Sequence, residues 1–544
     1  MKKRILSIVL CLVMVFSLLP FTASAASATP IDEKNFPDPV FREYVRKIVG
    51  NPVLTEEKAR QIEALDVSDD NIKEVLGDRA PITSLRGIRY LKYVRDLNCS
   101  GQELTTLNLE QNSRVEKLDC AGNQLTDLWL RTGNSLRYLY CSSNKLTALD
   151  LSKSAELTEL NCSWNQLTAL DLSANKKLQK IIAQANALTT LDTRNLPELT
   201  YLNLWGNHDL KSIDVSKNTK LEFLSASHGK LTSLNVKNNR MLVELHVYDN
   251  QLTALDVSSN YLLKNLGCYE NQITALDVSN NVALEDLVVD HNPITELNLR
   301  TQSNLQKLSC YEMKLTKLDV SYCPELLQLY CNDNQIETLD LRSNKKLRVL
   351  KCQNNRLSWL DLSSNTELDT RYVDCSGNVY GIEVDRNLQY KVYPDLPCYG
   401  ATEGTYFTAA RASDWTGGTV SKVDGWDVLT LDNARVKEVT YKYDTGNARI
   451  GKVAFTLKTE VPAKYITISF DPNGGTGTMK PMRVKAGENY TLPECTFTPP
   501  EGREFAGWLA VNGTVYPAGT KVISSYDQSF KATWKDKEKN HHLL

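Results

Sequence analysis

Histidine is scarce in this 544-residue chain: six in all, two of them in the tail at His541 and His542. That leaves little for general acid–base work. Neither H-E-x-x-H nor G-x-S-x-G occurs, so the zinc-protease helix and the nucleophile elbow are both missing. An excess of one charge is lacking too, since 63 Lys+Arg face 65 Asp+Glu. Without Lys2, Lys3 and Arg4, which fall in an N-terminal leader, 60 bases face 65 acids and the balance is −5. A weakly acidic chain presents no global field to nucleic acid or to an anionic membrane. Beyond that leader no apolar stretch is long enough to span a bilayer, so no transmembrane anchor is expected in the mature chain. With 42% hydrophobic and 24% charged residues, a wholly disordered or collagen-like chain is excluded.

The leader reads as a secretory signal over residues 1–25. Lys2-Lys3-Arg4 form its charged region, Ile5 to Phe21 its apolar region and Ala23-Ser24-Ala25 its small-residue cleavage site. The mature protein is therefore expected to be exported: secreted, or retained on the bacterial cell surface.

Thirteen cysteines in an exported chain invite a disulfide framework. Their spacing argues otherwise. Cys99, Cys120, Cys141 and Cys162 follow one another at 21 residues, and Cys268, Cys310, Cys331 and Cys352 fall on the same grid after a one-residue shift. Ala183, Leu204, Ala226, Val247 and Val289 fill the same slot in other copies. The column thus reads as buried reduced thiols acting as small hydrophobes. Cys323, Cys398 and Cys495 lie off the grid.

The cysteines belong to a repeat that runs Leu157-Thr-Glu-Leu160-Asn-Cys162-Ser-Trp-Asn165-Gln-Leu167-Thr-Ala-Leu170-Asp-Leu172-Ser-Ala-Asn175. Its strand leucine recurs at Leu97, Leu118, Leu139, Leu160, Ile181 and Leu202. After an insertion near His208-Asp209 it resumes at Leu224 and continues to Leu350, which makes about fourteen coils. Each copy contains a shorter echo of itself ten residues on. These residues resemble the bacterial leucine-rich repeat proteins of the 21-residue, nested-period type, relatives of the internalins. The resemblance implies a repeat solenoid: a horseshoe with a parallel β-sheet on its concave face. One coil cannot bury Leu157, Leu160, Cys162, Leu167, Leu170 and Leu172 alone; stacked neighbours must close that space. The recurrent Asn123, Asn144, Asn165, Asn186, Asn207, Asn250 and Asn271 should form a buried amide ladder at the strand ends, interrupted at Gly229 and Met313.

The ends differ. Asp38-Pro39 before Val40, Phe41, Tyr44, Val45 and Ile48, then Gly50, predicts a capped helix. A helical N-terminal cap is expected over 26–61, and the leucine-rich repeats over 62–380, with 62–96 as irregular lead-in coils. Alternating apolar residues in Val428–Leu431, Val439–Tyr443 and Lys452–Leu457 predict a β-sandwich-like module over 381–462. Within it, Gly446-Asn-Ala-Arg-Ile-Gly451-Lys452 looks like a phosphate loop. It carries Val453 where Ser or Thr is needed, and it reads as a hairpin turn. Residues 463–534, with Asp471-Pro-Asn-Gly474-Gly475, Phe505-Ala-Gly507-Trp508 and Phe530-Lys-Ala-Thr-Trp534, resemble the internalin B-repeat, a β-grasp-like module. A charged tail, 535–544, follows.

With Leu160 and Cys162 facing in, Glu159, Asn161 and Ser163 face out. The outward positions are uneven. Early coils offer Tyr138, Tyr140, Trp164, Tyr201, Trp205 and Phe223. Later coils offer His246, Tyr248, Asp249, Tyr269, Glu270, Asp290, His291, Tyr311, Glu312, Tyr330 and Asp333. Aromatic rings beside carboxylates suit recognition of a protein or glycan. No ligand spacing beyond the repeat supports a metal site at His246, Asp249, Glu270 and Asp290. The expectation is a non-enzymatic binding protein with no cofactor, no metal and an extracellular protein or glycan as partner. The family resemblance implies adhesion or host interaction. The alternative is a structural spacer, or a self-associating cell-envelope protein whose concave face has no ligand.

Overall fold

The computed structural model describes residues 28–131, 133–392, 396, 407–460 and 465–537. The expected signal segment, Cys398 and the tail histidines lie outside them. The chain forms two compact units. One runs to Gly377 and takes in Thr445–Val453; the other comprises Asn378–Asp444 and the chain from Ala454 on.

The first unit is a solenoid built on a fifteen-stranded sheet that starts at Ala64–Asp66 and ends at Val373–Asp374. Every pairing in it is parallel, and equivalent leucines face each other: Leu139 with Leu160, Leu160 with Ile181, Ile181 with Leu202. The insertion near His208 is absorbed outside the sheet, because Leu202 pairs with Leu224 in the same register. Leu157, Leu160, Cys162 and Leu167 are fully buried. At about 1.5–3 kcal/mol of gross burial per large apolar side chain, stacking of these linings is what drives the coils together.

Two ladders of amides hold the bends. At the strand end, Asn144 Oδ1 accepts from Leu125 N of the preceding coil at 2.8 Å, while its Nδ2 donates to the Cys120 and Cys141 carbonyls at 3.0 and 3.2 Å. The same bonds recur at Asn123, Asn165, Asn186, Asn250, Asn271, Asn292, Asn334 and Asn355. On the opposite side a second ladder carries Asn239, Asn260, Asn281, Gln302, Asn344 and Asn365, each donating to backbone carbonyls of the preceding coil. Cys323 stands in this second column, where its carbonyl accepts from Asn344 Nδ2 at 2.8 Å. That is why it falls off the first grid. The eleven cysteines among the described residues are thiols, and all but Cys495 are buried.

The second ladder ends on a residue far along the chain. Asn447, in the turn that sequence compares with a phosphate loop, donates through Nδ2 to the Asn365 carbonyl at 2.9 Å and more weakly to that of Leu362. The Thr445 carbonyl accepts from Leu362 N at 2.8 Å. Residues 445–447 thus stand where a further coil would stand.

At the other end, helix α1 (Pro39–Val49) has Asp38 as N-cap, accepting from Val40 N and Phe41 N at 3.0 and 2.9 Å, and Gly50 left-handed at φ 68° as its stop. Asp38 also accepts from Thr83 N at 2.9 Å, which ties α1 to the lead-in coils. Helix α2 (Glu56–Gln61) follows. The 62–96 stretch is more regular than its sequence suggests. It supplies the first strand of the sheet and helix α3 (Asp69–Leu76), capped by Ser68.

In the second unit, Val379–Glu383, Lys452–Glu460, Glu438–Asp444 and Ala412–Thr416 form one sheet, and Gln389–Lys391, Trp426–Leu431 and Gly418–Val423 form another. Further on, a five-stranded sheet places Tyr465–Asp471 parallel to Gln528–Asp536. Its core gathers Ile466, Ile468, Trp508, Phe530 and Ala532.

Candidate functional site

Four side-chain rows cross the concave face. Two come from the first and third residues of each strand; two follow the cysteine slot. The last row has a conformational rule of its own: Ser143, Trp164, Ala185, His228, Asp249, Glu270, His291, Glu312, Asp333 and Asn354 all have φ between 47° and 56°. Left-handed backbone disfavours most L residues and suits Asn, Asp and His best. The turn is set by the backbone bond each such residue donates to the next coil, as from Asp249 N to the Tyr269 carbonyl at 3.0 Å. Carboxylates and imidazoles in this row are therefore presented at a fixed bend.

The aromatic residues expected to face out are joined into a continuous cluster over the middle coils. Trp164 and Trp205 lie 6.4 Å apart by ring centroid. Trp205 Nε1 donates to the Tyr248 hydroxyl at 3.0 Å, bridging two coils over the small, buried Ser227. His228 fits edge-on between those rings, 5.2 Å from Trp205 and 5.1 Å from Tyr248. Tyr248 then stacks on Tyr269 at 4.3 Å and 7°. In the adjoining rows Tyr201 stacks on Phe223 at 4.2 Å and 6°, with His246 at 5.8 Å from Phe223. Gly267 makes room here, since a Cβ on it would lie 3.2 Å from His246 Nδ1. Burial, and then the neighbouring Tyr248, push the Tyr269 hydroxyl well above its ordinary value.

The acids are arranged differently from one another. Asp249 meets His228 Nδ1 at 2.5 Å, Glu312 meets His291 Nδ1 at 3.1 Å and Glu244 meets His246 at 3.5 Å. His291 also packs edge-on to Tyr311 at 5.0 Å. Asp333 is saturated by the amides of Asn332 and Asn354 at 2.6 and 2.7 Å. Glu270 is exposed. Outside the cluster, Tyr138 and Tyr140 lie on an early coil and Tyr330 on a late one, where its hydroxyl donates to Gln328 at 3.3 Å.

Two residues read as outward-facing are covered. Asp290 is 3% exposed, because its short side chain stands in one row between Tyr269 and Tyr311. Its Oδ1 accepts from Tyr311 N at 3.1 Å, and burial raises its pKa. Ser163 is also buried and bonds back to Asn161 Oδ1 at 2.7 Å. Conversely, His228 is a central member that sequence reading passed over. It sits in the copy whose ladder asparagine is replaced by Gly229, and with Ala226 already in the cysteine slot its place two residues on, in the left-handed row, was available from the alignment.

No protein-family model and no curated protein matches the chain. Solved structures do. The functional domain of InlJ from Listeria monocytogenes, described as including a cysteine ladder, is 26% identical with a TM-score of 0.52; the match covers 81% of this chain and 100% of that one. A leucine-rich repeat protein of Leptospira interrogans is 24% identical over 58% of this chain and 94% of its own, with a TM-score of 0.48. An internalin, InlF, of Listeria monocytogenes is 24% identical over 64% and 91%, with a TM-score of 0.44. The solenoid is thus of the leucine-rich repeat fold, with the functional domain of InlJ as a structural neighbour.

Proposed function

We propose that this is an exported, non-enzymatic binding protein that recognises a protein or glycan on the concave face of its solenoid, in adhesion or cell-surface interaction. The observation that carries the reading is the interlocked cluster from Trp164 through Trp205, His228 and Tyr248 to Tyr269, rimmed by Asp249, Glu270 and Glu312. Large rings held rigid by their neighbours give contact area at little entropic cost, which is how binding hot spots are built. The surrounding histidines are engaged by carboxylates, an arrangement that positions rings and acids for contact. The resemblance to internalins, the 21-residue nested repeat, the secretory leader and the B-repeat-like residues 463–534 support export and a surface setting. The modules beyond Gly377 act as spacers in this reading. Alanine at Tyr248, Tyr269 and Tyr311 together is expected to abolish capture of ligand in a glycan and protein-array screen while melting temperature holds. Unchanged capture would dispose of the concave site.

A further inference from the structure

Three residues before the concave strand, the coils from Glu156 to Lys220, and again those of Glu325 and Lys346, carry rim charges that alternate from one coil to the next. Glu156 pairs with Lys177 at 2.6 Å, Glu198 with Lys220 at 2.7 Å and Glu325 with Lys346 at 2.6 Å. Between Lys220 and Glu325 the alternation stops, and the same positions hold Met241, Leu262, Ala283 and Asn304. Met241 is 45% and Leu262 46% exposed, and the preceding row adds Tyr261 at 52% and Val282 at 51%. On adjacent coils these residues form an exposed apolar patch where the flanking coils carry ion pairs.

The patch lies on the coils that carry Tyr248 and Tyr269. Their concave strands and turns read Glu244-Leu-His-Val-Tyr-Asp249, Asn265-Leu-Gly-Cys-Tyr-Glu270 and Asp286-Leu-Val-Val-Asp-His291, with acids and no Lys or Arg. Other coils do carry cations there, Lys307 on the coil after Asp286 and Lys180 three coils before Glu244. The cations of the rim are Arg240 and Lys264, and Lys264 is paired with Glu285 at 2.6 Å. From Met241 to Tyr248 the chain passes through the strand Glu244–His246; seven steps at ~3.3 Å make at most about 23 Å, so about seven extended residues span it.

Resting on the concave-face reading, we infer that the binding surface continues over this rim and that its occupant is a cationic, amphipathic polypeptide segment. Its apolar side chains cover Met241, Leu262 and Val282. Its lysines or arginines meet Glu244 and Glu270 and lie over the Tyr248–Tyr269 rings, where cations are favoured by both charge and ring face.

The test uses the full chain and a labelled twelve-residue peptide of alternating leucine and lysine. Comparators are oligolysine of equal charge, the leucine–glutamate counterpart and a neutral oligosaccharide. The leucine–lysine peptide is expected to bind at least tenfold more tightly than oligolysine, and the leucine–glutamate peptide not at all. The variant M241E/L262K restores the rim's Glu–Lys alternation with no change in net charge. It is expected to keep its melting temperature and to bind the leucine–lysine peptide no better than oligolysine. Full affinity in M241E/L262K, together with loss in Y248A/Y269A, would overturn the rim while leaving the concave reading intact. Full affinity in both variants would overturn both. Preference for the oligosaccharide would overturn the polypeptide class.

Discussion

At the scale of single residues, burial governs reactivity and pH response. The grid cysteines are enclosed, and burial pushes the thiols of Cys162 and Cys268 up to about 12. A thiol that stays protonated is a poor nucleophile. Iodoacetamide at pH 8 is therefore expected to modify the half-buried Cys495 well before any grid cysteine, as read by peptide mass mapping; equal rates would mean that the coils open readily. Asp290 gives a pH prediction. Burial raises its folded pKa, so the folded state holds the proton more tightly than the unfolded chain does. The ionised carboxylate then destabilises the fold at neutral pH, and this cost disappears as pH falls below the unfolded value of about 3.9. Asp290→Asn keeps the oxygen that Tyr311 N needs. It should raise the melting temperature at pH 7.5 and leave it unchanged near pH 2.5, where the carboxyl is almost wholly neutral in both states. A gain independent of pH would point to packing instead of charge.

At the scale of the coil, the ladders are the element to perturb. In most coils the strand-end asparagine satisfies an amide of the preceding coil, but Met313 has no oxygen to offer Ile294 N. Met313→Asn is expected to stabilise the solenoid by about 1 kcal/mol, the net worth of a typical buried hydrogen bond, measured as a shift in urea midpoint. The C-terminal plug should behave in the opposite sense. Asn447→Ala removes the donor held by the Asn365 carbonyl, and faster hydrogen exchange at the Leu362 to Leu368 amides is the expected signature. Exchange confined to the β module would show that 445–447 does not seal the array. Of these elements, sequence made the strand-end ladder legible, because Asn123 to Asn271 recur in plain view. The plug was not legible: Asn447 is 82 residues from Asn365, and only the fold brings them together. Cys323 was readable in principle, three residues after Val320, where other copies have Asn or Gln.

At the scale of the whole solenoid, the period of Leu97 to Leu350 determines nearly everything about the stacking, since a strand's register follows from which leucine faces which. What period cannot supply is the difference between equivalent positions. Tyr248, Tyr269, Asp290 and Tyr311 occupy one row by the same arithmetic, yet ring length leaves three partly accessible and the carboxylate covered. His228 and the apolar rim were likewise hidden, the first by a local irregularity and the second because it is an absence of charge. In an array where each coil touches only its neighbours, a lesion's position matters as much as its size. Asn271→Ala, in the middle, should lower the urea dependence of unfolding more than Asn123→Ala near the start. Identical denaturation slopes would argue for a single all-or-none transition.

The dangling carbonyls at the last coil are met by a turn borrowed from downstream, and this has a bearing on how such a chain can change length. Duplicating or deleting a whole coil between Tyr269 and Asn365 leaves the closing surface untouched and slides the aromatic cluster by one inter-strand step, about 4.8 Å. Growth beyond Asn365 would instead evict Asn447 and leave the terminus raw. Variation in coil number is thereby channelled upstream, and the number of coils between the aromatic cluster and the closing turn becomes the quantity most easily tuned.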